Sequence, residues 1–162
     1  MQTVERKFII ADPQKCNGCG VCELVCSASK DKAFNRRMSR IKVVNIEPLV
    51  DIALACRLCE DPPCVRSCAR EALRRVEETG VILVDENKCN GCGWCIEACD
   101  YGVITYDPRK KAVVICDLCE GDPLCVKYCV QEALELTTID KIAEKARKST
   151  VKKLFAPTES NY

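Results

Sequence analysis

Sixteen cysteines in a chain of 162 residues fall into four groups of four, with none left over. The first group is Cys16, Cys19, Cys22 and Cys26, and the third is Cys89, Cys92, Cys95 and Cys99. Both have the spacing Cys-x₂-Cys-x₂-Cys-x₃-Cys. The second group (Cys56, Cys59, Cys64, Cys68) and the fourth (Cys116, Cys119, Cys125, Cys129) keep that plan with a longer middle gap carrying Pro62 and Pro63, or Pro123. Such density belongs either to a disulfide-linked exported scaffold or to metal sites in a reducing compartment. Histidine is absent. That excludes Cys/His zinc fingers, haem attached through Cys-x₂-Cys-His, and Rieske-type ligation.

The chain repeats itself. Lys15-Cys16-Asn17-Gly18-Cys19-Gly20 returns as Lys88-Cys89-Asn90-Gly91-Cys92-Gly93, and both the second and fourth cysteine groups are followed by Glu-Ala-Leu, at Glu71-Ala72-Leu73 and Glu132-Ala133-Leu134. A short apolar strand opens each half, Phe8 to Ala11 and Val81 to Val84, followed by Asp12 or Asp85. Cysteine alone cannot explain a likeness that extends to Lys, Asn, Gly and Glu-Ala-Leu. The expectation is a duplicated unit, residues 5–76 and 80–136, within a first domain of residues 1–137. Residues 138–162 are expected to form a C-terminal helix and extended tail.

Between their motifs the halves differ. Val103 to Tyr106 and Ala112 to Ile115 flank a turn with Pro108 and read as a β-hairpin. The first half instead inserts Ser27 to Arg40, with Lys30, Lys32, Arg36, Arg37 and Arg40, before the strand Ile41 to Ile46. This stretch is either a solvated loop or a docking surface. After Leu136, Thr137 or Thr138 can cap a helix with Asp140 in its first turn. Ile139, Ile142, Ala143 and Ala146 form one face at helical spacing, and Lys141, Lys145, Arg147 and Lys148 the other. That helix either packs on its own domain or binds across a subunit boundary. Ala156 to Tyr162 reads as an extended tail.

The start of the sequence has no signal-peptide pattern, and no run of about eighteen apolar residues occurs. The expectation is a cytoplasmic chain with reduced cysteines.

A tight loop with two-residue gaps wraps three corners of a cubane, and glycines such as Gly18 and Gly91 let its backbone turn amide N–H groups toward the sulfurs. The fourth cysteine, on a short helix, points to another cluster. Structural zinc prefers Cys-x₂-Cys pairs separated by longer loops, and disulfides are opposed by the crowding. Thiolate catalysis lacks its usual histidine base. Four [4Fe–4S] clusters are therefore expected, with all sixteen cysteines as ligands and no catalytic residue. The formal charge of +1 gives no reason to expect nucleic acid or membrane as a partner. With about two negative charges per ligated cluster, the loaded chain stands near about minus seven.

These motifs, over about residues 7–136, resemble the four-cluster ferredoxin-type subunits of molybdenum and tungsten oxidoreductases, hydrogenases and carbon monoxide dehydrogenases. The resemblance implies an α+β fold: duplicated bacterial-ferredoxin-like units with short hairpins and helices around four clusters. It also implies nested ligation. The first cluster takes Cys16, Cys19, Cys22 and Cys129, and the second Cys26, Cys116, Cys119 and Cys125. The third takes Cys56, Cys59, Cys64 and Cys99, and the fourth Cys68, Cys89, Cys92 and Cys95. Many such proteins have Pro after each fourth cysteine; here Ser27, Ala69, Asp100 and Val130 stand there. The stretch Cys26-Ser27 … Phe34-Asn35 … Ser39-Arg40-Ile41 is most similar to the small subunit of tungsten aldehyde oxidoreductases.

The expected role is a non-catalytic wire that relays single electrons between a large tungsten or molybdenum pterin subunit and a flavoprotein or ferredoxin. Three alternatives stay open: a subunit of a hydrogenase, formate dehydrogenase or carbon monoxide dehydrogenase, a free polyferredoxin, or a zinc-stabilised interaction module. The basic C-terminal extension is expected to contact the catalytic subunit or a second copy of the chain. Trp94, inside a ligand loop, either shields its cluster from water or fills an ordinary packing role.

Overall fold

The computed structural model describes residues 6–48 and 50–155. The elements of the first half are β1 (Phe8–Ala11), α1 (Val21–Asp31), β2 (Ile41–Ile46), β3 (Val50–Ala55), α2 (Pro63–Arg66) and β4 (Leu73–Arg75). Those of the second are β5 (Ile82–Val84), α3 (Trp94–Glu97), β6 (Thr105–Asp107), β7 (Ala112–Val114), α4 (Leu124–Lys127) and β8 (Leu134–Thr137), followed by α5 (Ile139–Phe155). This is a small mixed α and β fold of short elements. Strands β1, β2, β5 and β7 are short runs rich in β-branched residues, whereas β4 (Leu-Arg-Arg) and β6 (Thr-Tyr-Asp) are largely polar.

The strands pair as four separate antiparallel ribbons. Two are local hairpins: β2 with β3, and β6 with β7, the latter turning through Pro108 as the sequence predicts. The other two cross between the halves. β1, the first strand of the first half, pairs with β8, the last of the second, with Phe8 opposite Thr137 and Ala11 opposite Leu134. β4, which closes the first half, pairs with β5, which opens the second. The same bonds recur at both junctions. Asp12 N–H donates to the Ala133 carbonyl and Asp85 N–H to that of Ala72, each at 2.8 Å. Cys16 and Cys89 N–H donate to the Asp12 and Asp85 carbonyls, each at 3.0 Å.

The short helices have local causes. Pro63 begins α2, where its missing N–H costs nothing. Gly20 and Gly93, both left-handed, precede α1 and α3. One interior cluster joins Ile9, Ile41, Leu58, Val103, Val113 and Leu134 to buried cysteines including Cys22, Cys56 and Cys116. Sulfur is thus part of the core.

The segment 27–40 is only in part the solvated loop expected as one of two readings: Lys32 and Phe34 to Arg37 are exposed, but its two ends are not. α1 continues through Asp31, a 3₁₀ turn follows at Arg36–Met38, and Ser27, Ser39 and Arg40 are buried. Ser27 Oγ accepts from Asn35 N–H at 3.1 Å, and Thr105 Oγ1 donates to the Ser39 carbonyl at 3.1 Å. Three of the five cations are internally paired: Lys30 with Asp117, Arg36 with Glu23, and Arg40 with Asp31.

At the C-terminus neither threonine hydroxyl caps α5. Thr137 lies in β8, and both hydroxyls are buried without a hydrogen-bond partner. The Thr138 carbonyl instead accepts from Ile142 N–H at 3.1 Å. Only Ile142 and Ala143 are partly covered, while Ile139 and Ala146 are exposed like the basic face. The predicted tail, Ala156 to Tyr162, lies outside the described residues, as does Met1 to Glu5.

Candidate metal centre

The ribbons that cross between the halves decide which cysteines meet. Pairing β4 with β5 brings the end of the second motif to the start of the third. Cys56, Cys59, Cys64 and Cys99 line one cavity, with Ile82, Val103 and Ile104 among its walls. A second cavity is lined by Cys68, Cys89, Cys92 and Cys95, with Trp94 and Arg70. Pairing β1 with β8 acts likewise on the first and fourth motifs. Cys26, Cys116, Cys119 and Cys125 line a third cavity, beside Ile9, Ile41 and Leu124. Of the remaining four, Cys22 is near enough to Cys19 and Cys16 for their charges to act on it. Cys129 follows α4, which packs on α1, the helix that carries Cys22.

The loops turn backbone donors onto sulfur. Leu58 and Leu118 occupy equivalent places two residues into the second and fourth motifs, at φ 50° and 58°. Left-handed backbone costs a non-glycine residue about 1 kcal/mol or more. It aims their amide N–H groups at the Cys56 and Cys116 sulfurs. Arg40 N–H donates to Cys26 Sγ at 3.2 Å, and Ala72 and Ala133 N–H donate to Cys68 and Cys129 Sγ, each at 3.3 Å. Such donors stabilise a thiolate and anything bound to it.

Burial opposes charge at these sulfurs. It pushes the Cys22, Cys56 and Cys116 thiols up to about 12, and Cys64 and Cys95 to about 11. Cys125 and Cys26 are raised by the same cause. Without metal these groups are neutral thiols, and ligation must expel their protons. All sixteen cysteines are free of disulfides. Among the described residues no three Cys, Asp or Glu side chains close on one point as ligands of a single ion do. The sulfurs stand apart around apolar cavities with N–H groups pointing inward. That donor set suits a soft iron–sulfide unit, bound by cysteine at its four corners.

Residues 49–139 match the 4Fe-4S dicluster domain family. The chain belongs to that family of ferredoxin domains. Its cofactors are four [4Fe–4S] clusters, for which the sixteen cysteines supply four ligands each. This ferredoxin is 40% identical over 137 residues to the aliphatic sulfonate oxidoreductase, polyferredoxin-like subunit, of Pyrococcus furiosus, covering 83% of this chain and 79% of that one. It is 32% identical to one subunit of the anaerobic dimethyl sulfoxide reductase of Escherichia coli, over 88% of this chain and 78% of that one. It is also 37% identical to the NADH-dependent phenylglyoxylate dehydrogenase subunit beta of Aromatoleum evansii, over 92% of this chain and 34% of that longer one.

Cys125 feels the charge of Cys22, Cys56 that of Cys116, and Cys95 that of Cys64. Cys19 and Cys92 are the two exposed cysteines. Trp94 is 68% exposed, so it forms one wall of its cavity and no part of the core. Leu58, Leu118 and Asp117 carry no motif that marks them as functional in the sequence. The one available signal is their matching place, one or two residues after the first cysteine of each longer motif.

Proposed function

We propose that this ferredoxin is the electron-transfer subunit of an oxidoreductase complex, relaying electrons one at a time between a large catalytic subunit and a second redox carrier. The observation that carries this reading is that cysteines of the four proposed sets feel one another's charge in turn, Cys22 on Cys125, Cys116 on Cys56 and Cys64 on Cys95, while only Cys19 and Cys92, in the first and last of those sets, are exposed. When bound, each cluster supplies a one-electron redox centre. The chain's own residues hold it through sulfur, donate N–H groups to that sulfur, and exclude water from the inner sets with Leu58, Val103 and Ile41.

In this reading the ligand sets are the nested ones: Cys16, Cys19, Cys22 and Cys129; Cys26, Cys116, Cys119 and Cys125; Cys56, Cys59, Cys64 and Cys99; Cys68, Cys89, Cys92 and Cys95. The cavities lined by the last three sets support it. The body is a duplicated unit of residues 5–76 and 80–136, supported by the matching bonds of Asp12 and Asp85. The sixteen unpaired thiols suit a cytoplasmic setting. The catalytic partner is a tungsten or molybdenum pterin subunit of the aldehyde oxidoreductase type, and a flavoprotein or ferredoxin takes the electrons. The exposed, basic α5 contacts that subunit or a second copy of the chain.

The test is anaerobic purification of the natural complex through this subunit. The expected result is about sixteen iron and sixteen sulfide per chain and a large pterin-bearing subunit in stoichiometric amount, whose substrate reduces the clusters. Zinc in place of iron, or a chain that purifies alone and is reduced by no copurifying enzyme, overturns it.

A further inference from the structure

The cavity of Cys26, Cys116, Cys119 and Cys125 differs in its charged lining from its counterpart of Cys56, Cys59, Cys64 and Cys99: it has Lys30, Arg40 and Asp117 where the other has Arg57 and Asp100. The two match place for place: Ile9 with Ile82, Ile41 with Ile104, Pro123 with Pro62. Four residues after the fourth cysteine of its motif, however, the first half has Lys30 where the second has the fully buried Val103. Lys30 Nζ meets Asp117 Oδ2 at 2.5 Å, across 87 residues of sequence, and both side chains line the cavity. Their exposures are 23% and 38%, so solvent screens the pair only in part. Lys30 lies close enough to the Cys119 sulfur to feel its charge. Asp117 is anchored on its other side, where Oδ1 accepts from Cys119 N–H at 3.0 Å. The pair therefore sits against two consecutive ligand positions of one site, whose wall also holds Arg40, while Arg57 and Arg70 line the other two cavities.

We propose that Lys30 and Asp117 are opposed electrostatic levers on the reduction potential of the single cluster held by Cys26, Cys116, Cys119 and Cys125. The inference rests on the ligand set proposed above. A site that gains an electron becomes more negative, so a nearby ammonium favours the reduced state and a nearby carboxylate disfavours it. At their present distances each screens the other, and removing one exposes the cluster to the charge that is left. The segment 27–40, unmatched in the second half, thus gives one station of the wire a potential of its own.

The experiment is EPR-monitored redox titration of the anaerobic iron-loaded protein and of four variants. Lys30→Gln is expected to shift one of the four midpoint potentials downward, and Asp117→Asn to shift the same one upward. Lys30→Arg should leave it in place, and the double variant Lys30→Gln/Asp117→Asn should return it close to the starting value. A structural disturbance does not produce shifts of opposite sign, nor their cancellation. Full iron content with no shift, with shifts of the same sign, or with shifts spread over all four clusters overturns the inference and leaves the wire intact. Loss of one cluster's iron in Lys30→Gln assigns the pair to assembly and also overturns it. Absence of iron from the unsubstituted protein would instead overturn the wire itself.

Discussion

Asp107 shows how the small core is held by individual polar contacts. Its side chain is fully buried at the end of β6, and Arg109 donates to it from Nε at 3.2 Å, Nη2 at 3.0 Å and backbone N–H at 2.9 Å. The Arg109 guanidinium holds its carboxyl below the ordinary carboxylate range against the opposing effect of burial. The folded chain therefore binds this proton less tightly than the unfolded chain does. The stabilisation is present above about pH 4, the unfolded value, and is lost as pH falls through the depressed one. Asp107→Ala is expected to cost about 1–3 kcal/mol, because the Arg109 N–H loses its acceptor. Urea titration of the visible absorbance at pH 7, under anaerobic conditions, reads that loss. The cysteines make a sharper prediction. Cys64→Ser and Cys99→Ser, 35 residues apart, should abolish the same EPR signal and each lower iron by about four atoms. Cys95→Ser should abolish a different one. If Cys64→Ser and Cys95→Ser proved equivalent, the nested ligand sets would be wrong.

At the scale of elements, the first and third ligand loops each lean on a hairpin of their own half. Gly18 faces Asn45 and Asp51 of the β2–β3 ribbon, and Gly91 faces Tyr106 of β6. Gly91 has φ 70°, and a Cβ there would stand 2.5 Å from Tyr106 Cε2 and 3.3 Å from the Lys111 carbonyl. Gly93, two residues on, has φ 86° with open space around it. Gly91→Ala should therefore cost about 2–4 kcal/mol, from left-handed strain plus overpacking. Gly93→Ala should cost about 1 kcal/mol, from conformation alone. Equal effects on the rate at which the anaerobic protein loses its visible absorbance would show that the hairpin gives the loop no support. α5 makes the opposite case. Every described residue after Ala143 is exposed, including Leu154 and Phe155. Ending the chain at Ala143 should leave iron content and thermal bleaching within the small range of surface changes. Loss of copurifying partner on the same truncation is the expected sign that the helix works outside its own domain. Composition and spacing disclose this helix and its basic face. What they withhold is how little of it the body covers, since an amphipathic pattern is the same whether or not a surface lies opposite.

Across the whole molecule, sulfur takes the place of a larger apolar interior. Cys22, Cys56, Cys64, Cys95, Cys116 and Cys125 are buried within the same cluster as the aliphatic side chains, and the ribbons have only two strands each, too few to stand alone. Cluster binding should therefore supply much of the folding free energy. Chelation of iron under anaerobic, reducing conditions is expected to remove most far-UV circular dichroism and any cooperative thermal transition. A native-like melt without iron would contradict it. The sequence by itself determined the number and kind of metal centres, the short strands and the β6–β7 hairpin. Those properties lie in spacing, composition and turn residues, which act over a few neighbouring positions. Only the tertiary structure decided that β1 closes on β8 and β4 on β5, that Lys30 reaches Asp117, and that Ser27, Ser39 and Arg40 are interior. Each of these joins or buries segments far apart in the chain. A local pattern shows that a strand or a cation needs a partner, and the packing of the whole chain selects which one it gets.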